Sequence, residues 1–258
     1  MRFKMLGSGS KGNACLVHTQ DKTLLIDAGI PIQTLKSRIQ EAEVAPDAIL
    51  ITHEHSDHSK ALKSYLKSHD IPVYLTQKTA EALALDHSKT KIITPYHPFF
   101  IGDLRIMPYS TRHDAADPVG FIIQTDDIKL VHMMDTGYVP ETDHALFRNA
   151  TAYIIESNYD VARLFESKRP YYLKKRIDSP TGHLSNHDAS YHLSQWMGEK
   201  TQVVCFAHPS EDCNSESLIQ TTFEDTLKSF QLSFNQLKTY IATQSPLDWV
   251  ELKEAQYA

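Results

Sequence analysis

Six consecutive residues, His53-Glu54-His55-Ser56-Asp57-His58, crowd three imidazoles and an aspartate into one short stretch. Imidazole and carboxylate are donors for zinc and manganese. At this spacing His53 and His55 can serve one ion, while Asp57 and His58 serve a second. Two cations held roughly 3.5–4 Å apart form a clamp for in-line hydrolysis, activating water and stabilising charged oxygens.

An element must hold such a cluster in place. Residues 48–52, Ala-Ile-Leu-Ile-Thr, form an apolar run that reads as a buried strand leading into it. Short apolar pieces at 2–5, 14–18 and 24–27, parted by Gly, Asn and Asp turns, read as strands. So do 73–76, 99–101, 104–108, 120–125, 129–133, 152–156 and 201–207. Helices are expected over 34–40, 60–69, 77–84 and 141–149. Asn186 is the expected cap of a helix carrying Ala189, Leu193, Trp196 and Met197 on one face, and Ser215 the cap of one running to Phe230. Strands grouped in each half with helices beside them imply two sheets packed face to face and covered by helices. With no internal repeat or long linker, 1–258 reads as a single domain.

Two metals need more donors than one loop supplies, and the other candidates stand at strand ends. Leu25-Ile26-Asp27-Ala28-Gly29 ends a strand in a carboxylate that can orient a ligand from behind. His113 follows another strand, Asp135-Thr136-Gly137 repeats the strand-Asp-turn pattern, and 203–207 runs into His208. His18, His69, His87, His97, His144 and His192 lack that context. His132 reads as a strand side chain and His187 as part of a helix's first turn.

Composition limits the classes. With 41% hydrophobic and 22% charged residues, the 258-residue chain is an ordinary globule with enough apolar content for a substantial core. No apolar run approaches the roughly 20 residues that cross a bilayer. The N-terminus reaches Gly7-Ser8-Gly9-Ser10 too soon for a signal peptide. Three cysteines, Cys15, Cys205 and Cys213, without Cys-x-x-Cys spacing, point to a reducing compartment rather than a disulfide framework or structural zinc site. The expected location is cytoplasmic, with no membrane partner; oligomeric state is not readable. A net charge of −6 opposes nucleic-acid binding over the whole surface. It leaves room for a local strip, and Lys168-Arg169-Pro170-Tyr171-Tyr172-Leu173-Lys174-Lys175-Arg176 is one, readable also as a solvated helix face.

Taken in order, Asp27, His53/His55/Asp57/His58, His113, Asp135 and His208 resemble the five motifs of the metallo-β-lactamase superfamily. The resemblance implies an α/β fold, the four-layer αβ/βα sandwich of two mixed sheets flanked by helices, with the site at one edge of both sheets. It implies that His53, His55 and His113 hold one divalent ion (Zn2+ or Mn2+), that Asp57, His58 and His208 hold the other, and that Asp135 bridges them. Ser8-Gly9-Ser10-Lys11-Gly12-Asn13, His113-Asp114-Ala115, Glu156-Ser157-Asn158, Lys174-Lys175-Arg176-Ile177 and Gly182-His183-Leu184-Ser185-Asn186 further resemble the YycJ/WalJ (VicX) group of bacterial cytoplasmic enzymes. That group is associated with metal-dependent 5′-to-3′ DNA exonuclease activity. Tyr159, where the group commonly has His, and the segment Pro209-Ser210-Glu211-Asp212-Cys213 depart from its pattern.

Within the superfamily, His55 and His58 match hydrolases rather than redox members. Asp135 separates the chain from lactam hydrolases, and the short C-terminal tail separates it from thioester hydrolases. His183, about two dozen residues before His208, resembles the extra His of nuclease and phosphodiesterase members. The expected reaction is attack on phosphorus by a hydroxide bridging the metals. Asp57 accepts its proton, and His183 steadies the phosphate or protonates the leaving oxygen. The amides opening the helix after Asn186 are a further expected phosphate contact. Lys168, Arg169, Lys174, Lys175 and Arg176 are the expected nucleic-acid contacts, with Tyr171 and Tyr172 able to stack on bases or pack in the core. RNA or a small cyclic nucleotide as substrate of the same centre stands as the alternative, with a thioester hydrolase or an inert metal-binding regulator ranked below.

Overall fold

The structure is a computed structural model and describes residues 1–86, 88–234 and 236–254; His87 lies outside them. The chain first lays down β1 (Arg2–Gly7), β2 (Ala14–His18), β3 (Thr23–Ile26), β4 (Ala48–Leu50), β5 (Val73–Leu75) and β6 (Thr90–Ile92). A second set follows: β7 (Phe99–Ile101), β8 (Leu104–Ser110), β9 (Val119–Gln124), β10 (Lys129–Met133), β11 (Ala152–Glu156), β12 (Val203–Ala207) and β13 (Lys238–Ile241). β14 (Val250–Glu251) returns to pair with β1, giving two seven-stranded sheets, β14-β1-β2-β3-β4-β5-β6 and β13-β12-β11-β10-β9-β8-β7. Both are mixed. Each is antiparallel at its start and parallel through β3-β4-β5-β6 or β10-β11-β12-β13.

The strands that carry the site are buried on both faces, which explains their unbroken apolar sequences. In β3, Leu24 and Ile26 point between the sheets while Leu25 points outward. In β10, Leu130 faces inward and Val131 and Met133 outward. The central layer joins Phe3, Leu24 and Leu50 of the first sheet to Ile106, Phe121, Ile154 and Cys205 of the second. Each such side chain contributes about 1.5–3 kcal/mol by leaving water.

Helices cover both outer faces. On the first sheet lie α1 (Ile32–Glu41), α2 (Ser56–Ser59), α3 (Leu62–Leu66) and α4 (Gln77–Ala82), with Leu35, Ile39, Leu62 and Tyr65 packing against Leu16, Leu25 and Ile49. The second half supplies α5 (His144–Phe147), α6 (Val161–Glu166), α7 (Tyr171–Ile177), α8 (Asn186–Trp196) and α9 (Glu216–Ser229). Leu193 and Trp196 of α8 and Ile219 and Phe223 of α9 pack on Tyr153, Val204 and Phe206. The expected four-layer αβ/βα sandwich is the observed one.

The differences are local. Of the helix expected over 60–69 only Leu62–Leu66 is helical, as α3, and a separate short helix, α2, lies before it inside the ligand motif. Residues 141–149 open with a 3-10 turn, Glu141–Asp143, before α5. Ser185 rather than Asn186 caps α8, its hydroxyl accepting from Asp188 N–H. Asn186 is buried instead, its side chain bonded to Ser157 and Asn214. Ser215 caps α9 as expected. All three cysteines are free and buried. Among the described residues no helix is long and apolar enough to cross a membrane.

Candidate metal centre

β3, β4, β8, β10, β11 and β12 all deliver their C-terminal ends to one edge of the sandwich. Parallel strands place polar groups there because the chain must leave the sheet at that point. Asp27 follows β3, the His53–His58 loop follows β4, His113 follows β8, Asp135 follows β10, Glu156 ends β11 and His208 follows β12. Three of these residues turn the chain through the left-handed region: Asp27 at φ 60°, Asp135 at φ 46° and His208 at φ 54°. For residues other than glycine this costs of order 1–3 kcal/mol. It swings each side chain off its strand axis and into the edge.

The ligand loop is fixed from behind by main chain. Asn13 N–H donates to Asp57 carbonyl oxygen at 2.7 Å, Gly29 N–H to Asn13 at 2.9 Å, and Ala28 N–H to His58 at 2.8 Å. Gly29 lies so close that a Cβ there would stand 1.6 Å from the Asp57 carbonyl oxygen. The Asn13 carboxamide oxygen accepts from Gly9 N–H at 2.8 Å, folding the Ser8–Asn13 loop beneath α2.

Three groups of donor atoms result, each within 4.8 Å: His53, His55 and His113; Asp57, His58, Asp135 and His208; and Asp135, Glu156, His183 and His208. Asp135 lies at the junction. Its Oδ2 is 2.7 Å from His58 Nε2 and 3.4 Å from His53 Nε2, and its Oδ1 is 3.3 Å from His208 Nδ1. Among the described residues, His53 Nε2 and Asp135 Oδ1 have no hydrogen-bond partner although both are buried. Such orphaned groups cost about 1–3 kcal/mol each, more when charged. A divalent cation among these nitrogens and carboxylate oxygens would satisfy both, so the donor set fits the metals that the resemblance implies.

The electrostatics point the same way. Burial opposes charge on Asp135, but the imidazoles of His208 and His58 overcome it and hold the carboxyl well below the usual range. Burial likewise opposes a proton on His58, yet Asp135 and Asp27 push it well above its ordinary value. His53, buried beside His58, is pushed well below. The carboxylates call for positive charge, and not every imidazole can carry it as a proton.

Outer contacts set which ring nitrogen faces inward. His58 Nδ1 is 2.7 Å from Asp27 Oδ2, while Thr52 N–H and hydroxyl also donate to Asp27 at 2.8 and 2.9 Å. His113 Nδ1 is 2.9 Å from the Gly182 carbonyl oxygen. In both rings Nε2 is left for a metal, an arrangement that fixes tautomer and ring orientation. Glu156, fully buried, is the hub of the second half. Its Oε1 lies 2.6 Å from His183 Nδ1 and 3.1 Å from His208 Nδ1, and its Oε2 accepts from Thr136 and Leu184 N–H at 3.1 and 3.2 Å. Burial works against a proton on His183, but Glu156 and Asp135 prevail and push its pKa up to about 10.

Comparison with known proteins agrees with this geometry. Residues 22–203 match the family described as the beta-lactamase superfamily domain. The exodeoxyribonuclease YycJ of Bacillus anthracis is 33% identical over 238 residues, 88% of this chain and 89% of that protein. The exodeoxyribonuclease WalJ of Streptococcus pneumoniae is 33% identical over 241 residues, 90% of each. The chain belongs to the metallo-β-lactamase superfamily, in its YycJ/WalJ branch. The crystal structure of the metallo-beta-lactamase fold protein YhfI from Bacillus subtilis shares the fold, with a TM-score of 0.73 at 18% identity over 96% of this chain and 99% of that one. This YycJ/WalJ relative is therefore a metal-dependent hydrolase.

The expected ligands and His183 meet at the edge of this superfamily member; the basic strip is more dispersed. Arg176 Nε binds Asp114 Oδ2 at 2.6 Å, and Arg169 binds Asp212 Oδ2 at 3.1 Å. Lys174 Nζ donates to the Phe165 carbonyl at 2.6 Å, and Lys175 lies 3.9 Å from Asp178. Tyr171 and Tyr172 are not core residues: they stand 68% and 75% exposed. Tyr159, the departure from the branch pattern, is buried and its hydroxyl donates to Asp178 at 2.9 Å, away from the ligands. Sequence reasoning assigned no role to Glu156, although the signal was present: like Asp27 and Asp135, it is a carboxylate closing an apolar strand, Ala-Tyr-Ile-Ile-Glu.

Proposed function

We propose that this metal-dependent hydrolase cleaves DNA phosphodiesters from the 5′ end using two divalent ions, zinc or manganese. His53, His55 and His113 would hold one, Asp57, His58 and His208 the other, with Asp135 between them and Asp27 orienting His58. When bound, the cations would lower the pKa of a water and neutralise phosphate oxygens. Asp57, half-buried at the edge, is the residue to take up the proton of that water. Asp57 is held in its charged form: burial opposes that charge, but His208 and His58 outweigh it and keep its pKa below the ordinary carboxylate value.

The observation that carries the phosphodiester reading is the His183–Glu156 pair. Neither residue belongs to the group of His53, His55 and His113 or to that of Asp57, His58, Asp135 and His208; in the third group a 2.6 Å contact joins His183 Nδ1 to the fully buried Glu156. With Nδ1 held by Glu156 and 20% of its side chain open, His183 can donate a proton to a leaving alkoxide or steady the scissile phosphate. The names of the 33%-identical relatives support DNA as substrate. The strip Lys168, Arg169, Lys174, Lys175 and Arg176 would meet the backbone, with exposed Tyr171 and Tyr172 available to stack on bases. The three buried free thiols suit a cytoplasmic protein.

The test is a rate comparison. Protein loaded with zinc or manganese is incubated with 5′-labelled DNA, the same RNA sequence and a small cyclic phosphodiester. Fastest release of label from DNA is expected. Faster RNA or cyclic-nucleotide turnover would move the substrate, and no hydrolysis of any of them would end the phosphodiesterase reading.

A further inference from the structure

A cavity of about 620 Å3 opens beside the centre, and Asp57 belongs to both. Its wall carries three cations, Lys11 from the Ser8–Asn13 loop, Arg38 from α1 and Lys60 just past α2. Ser10, Thr34 and Ser56 add hydroxyls. Among the described residues Asp57 is the one carboxylate of the lining. Pro31, which also lines the cavity, precedes the first turn of ten-residue α1, and that turn has neither a side-chain cap nor an acidic residue. Arg38 is anchored, its guanidinium donating to the Leu6 carbonyl, so its charge is held in place.

The position of this cavity complements that of α7. The basic helix reaches the centre through Arg176 and Asp114, next to His113 of the three-histidine cluster. The cavity meets the other cluster, through Asp57. Positive charge therefore flanks the site on two sides. A volume of this order encloses one small ligand rather than an extended strand.

We infer that the cavity seats the 5′-terminal nucleotide of the strand and binds its terminal phosphate through Lys11, Lys60 and Arg38. The inference rests on the phosphodiesterase reading and adds to it how the enzyme recognises an end. Lys11 now pairs with Glu211 at 2.8 Å, with both side chains more than half exposed. Exposed pairs of this kind hold weakly, so a phosphate can take the place of Glu211. That residue lies in the segment after His208 that departs from the branch pattern, which ties the departure to the cavity mouth.

Two measurements test it. A 3′-labelled strand is supplied with a 5′-phosphate or a 5′-hydroxyl, and kcat/KM is compared for the wild type and the Lys11→Ala/Lys60→Ala variant. The wild type should prefer the phosphorylated end by tenfold or more, and the variant should bring the ratio near one. Separately, binding of thymidine 5′-monophosphate and of thymidine is measured by calorimetry on metal-stripped protein, where metals cannot supply the phosphate affinity. The monophosphate should bind at least tenfold more tightly than the nucleoside to the wild type, and this advantage should vanish in the variant. Equal rates at the two ends, a preference that survives both substitutions, or equal binding of nucleotide and nucleoside would each overturn the assignment. If no phosphodiester is cleaved, the broader function fails while the binding measurement still decides this site.

Discussion

Gly29→Ala is the sharpest probe of how the ligand loop is held, because the substitution is small and its effect is aimed. The added methyl would stand 1.6 Å from the Asp57 carbonyl oxygen, 2.2 Å from its carbon and 2.7 Å from His58 nitrogen. Carbon contacts are comfortable only near about 3.5 Å, so main chain must separate by roughly 1.5–2 Å. Overpacking of that kind costs about 1–3 kcal/mol. The movement also strains Asn13 N–H to Asp57 and Ala28 N–H to His58, bonds of 2.7 and 2.8 Å, worth about 1 kcal/mol each. The total, about 3–5 kcal/mol, corresponds to a melting temperature lower by on the order of 10 °C for a chain of this size. More telling is where the displacement falls. Asp57 and His58 serve one cluster, whereas His53, His55 and His113 form the other. After dialysis against buffered zinc or manganese, metal analysis should find the wild type with two ions per chain and the variant with close to one. Two retained ions with an unchanged melting temperature would refute the claim that contact with Gly29 positions those ligands.

Other perturbations separate the remaining roles. His183→Ala should lower turnover by about 10²–10⁴-fold with metal content unchanged; loss of metal would make His183 a ligand. Glu156→Gln should also slow turnover, and combining the two should add little because the residues act as a unit, a prediction that multiplicative losses would sink. Replacing Lys174, Lys175 and Arg176 with Ala should reduce the slope of log affinity for DNA against log salt by about one for each lost phosphate contact; an unchanged slope would remove α7 from the interface. His192, buried near His144, has its pKa lowered to about 4. Its contribution to stability is complete above its unfolded value near 6.5 and declines as pH falls toward 4, by up to about 3 kcal/mol. Thermal melts of His192→Phe should therefore lose less between pH 6.5 and 4.5 than those of the wild type, and parallel losses would contradict the assignment.

Outside the His53–His58 loop, the candidate donors were legible by one rule, a polar residue at or just past the end of a strand. His113, Asp135 and His208 could each be found that way, and Glu156 obeys the rule equally well. It escaped because glutamate at a strand end is unremarkable until the fold sets His183 against it. The sandwich itself followed from strands such as Leu24-Leu25-Ile26, whose continuous apolar sequence announces burial on both faces. Elements that were not legible lack such a signal. β13 is partly exposed and β14 spans two residues, so their place is set by pairing with β12 and β1. The break between α2 and α3 has no glycine or proline to mark it. It follows from tertiary contact: Ala61 N–H is drawn to the Ala28 carbonyl at 2.8 Å, beside the anchor that fixes His58.

That anchor shows why the centre sits at the edge and not within either sheet. Asp27, Asp135 and His208 occupy left-handed backbone at the point where hydrogen bonding within the sheet stops. The same conformation one residue earlier would break a ladder bond and leave a buried peptide group unpaired, adding to the backbone strain. At the edge the turn keeps its partners. Asp27 N–H still reaches the Leu50 carbonyl at the end of β4, at 2.9 Å, while His208 N–H leaves the sheet for Ser8 Oγ at 2.8 Å. Ser8 belongs to the same loop as Asn13, which holds Asp57. One loop thus braces donors from both sheets, His208 on one side and Asp57 on the other. Relative movement of the sheets would be felt at this loop, and the Asp57–His208 half of the centre depends on it directly.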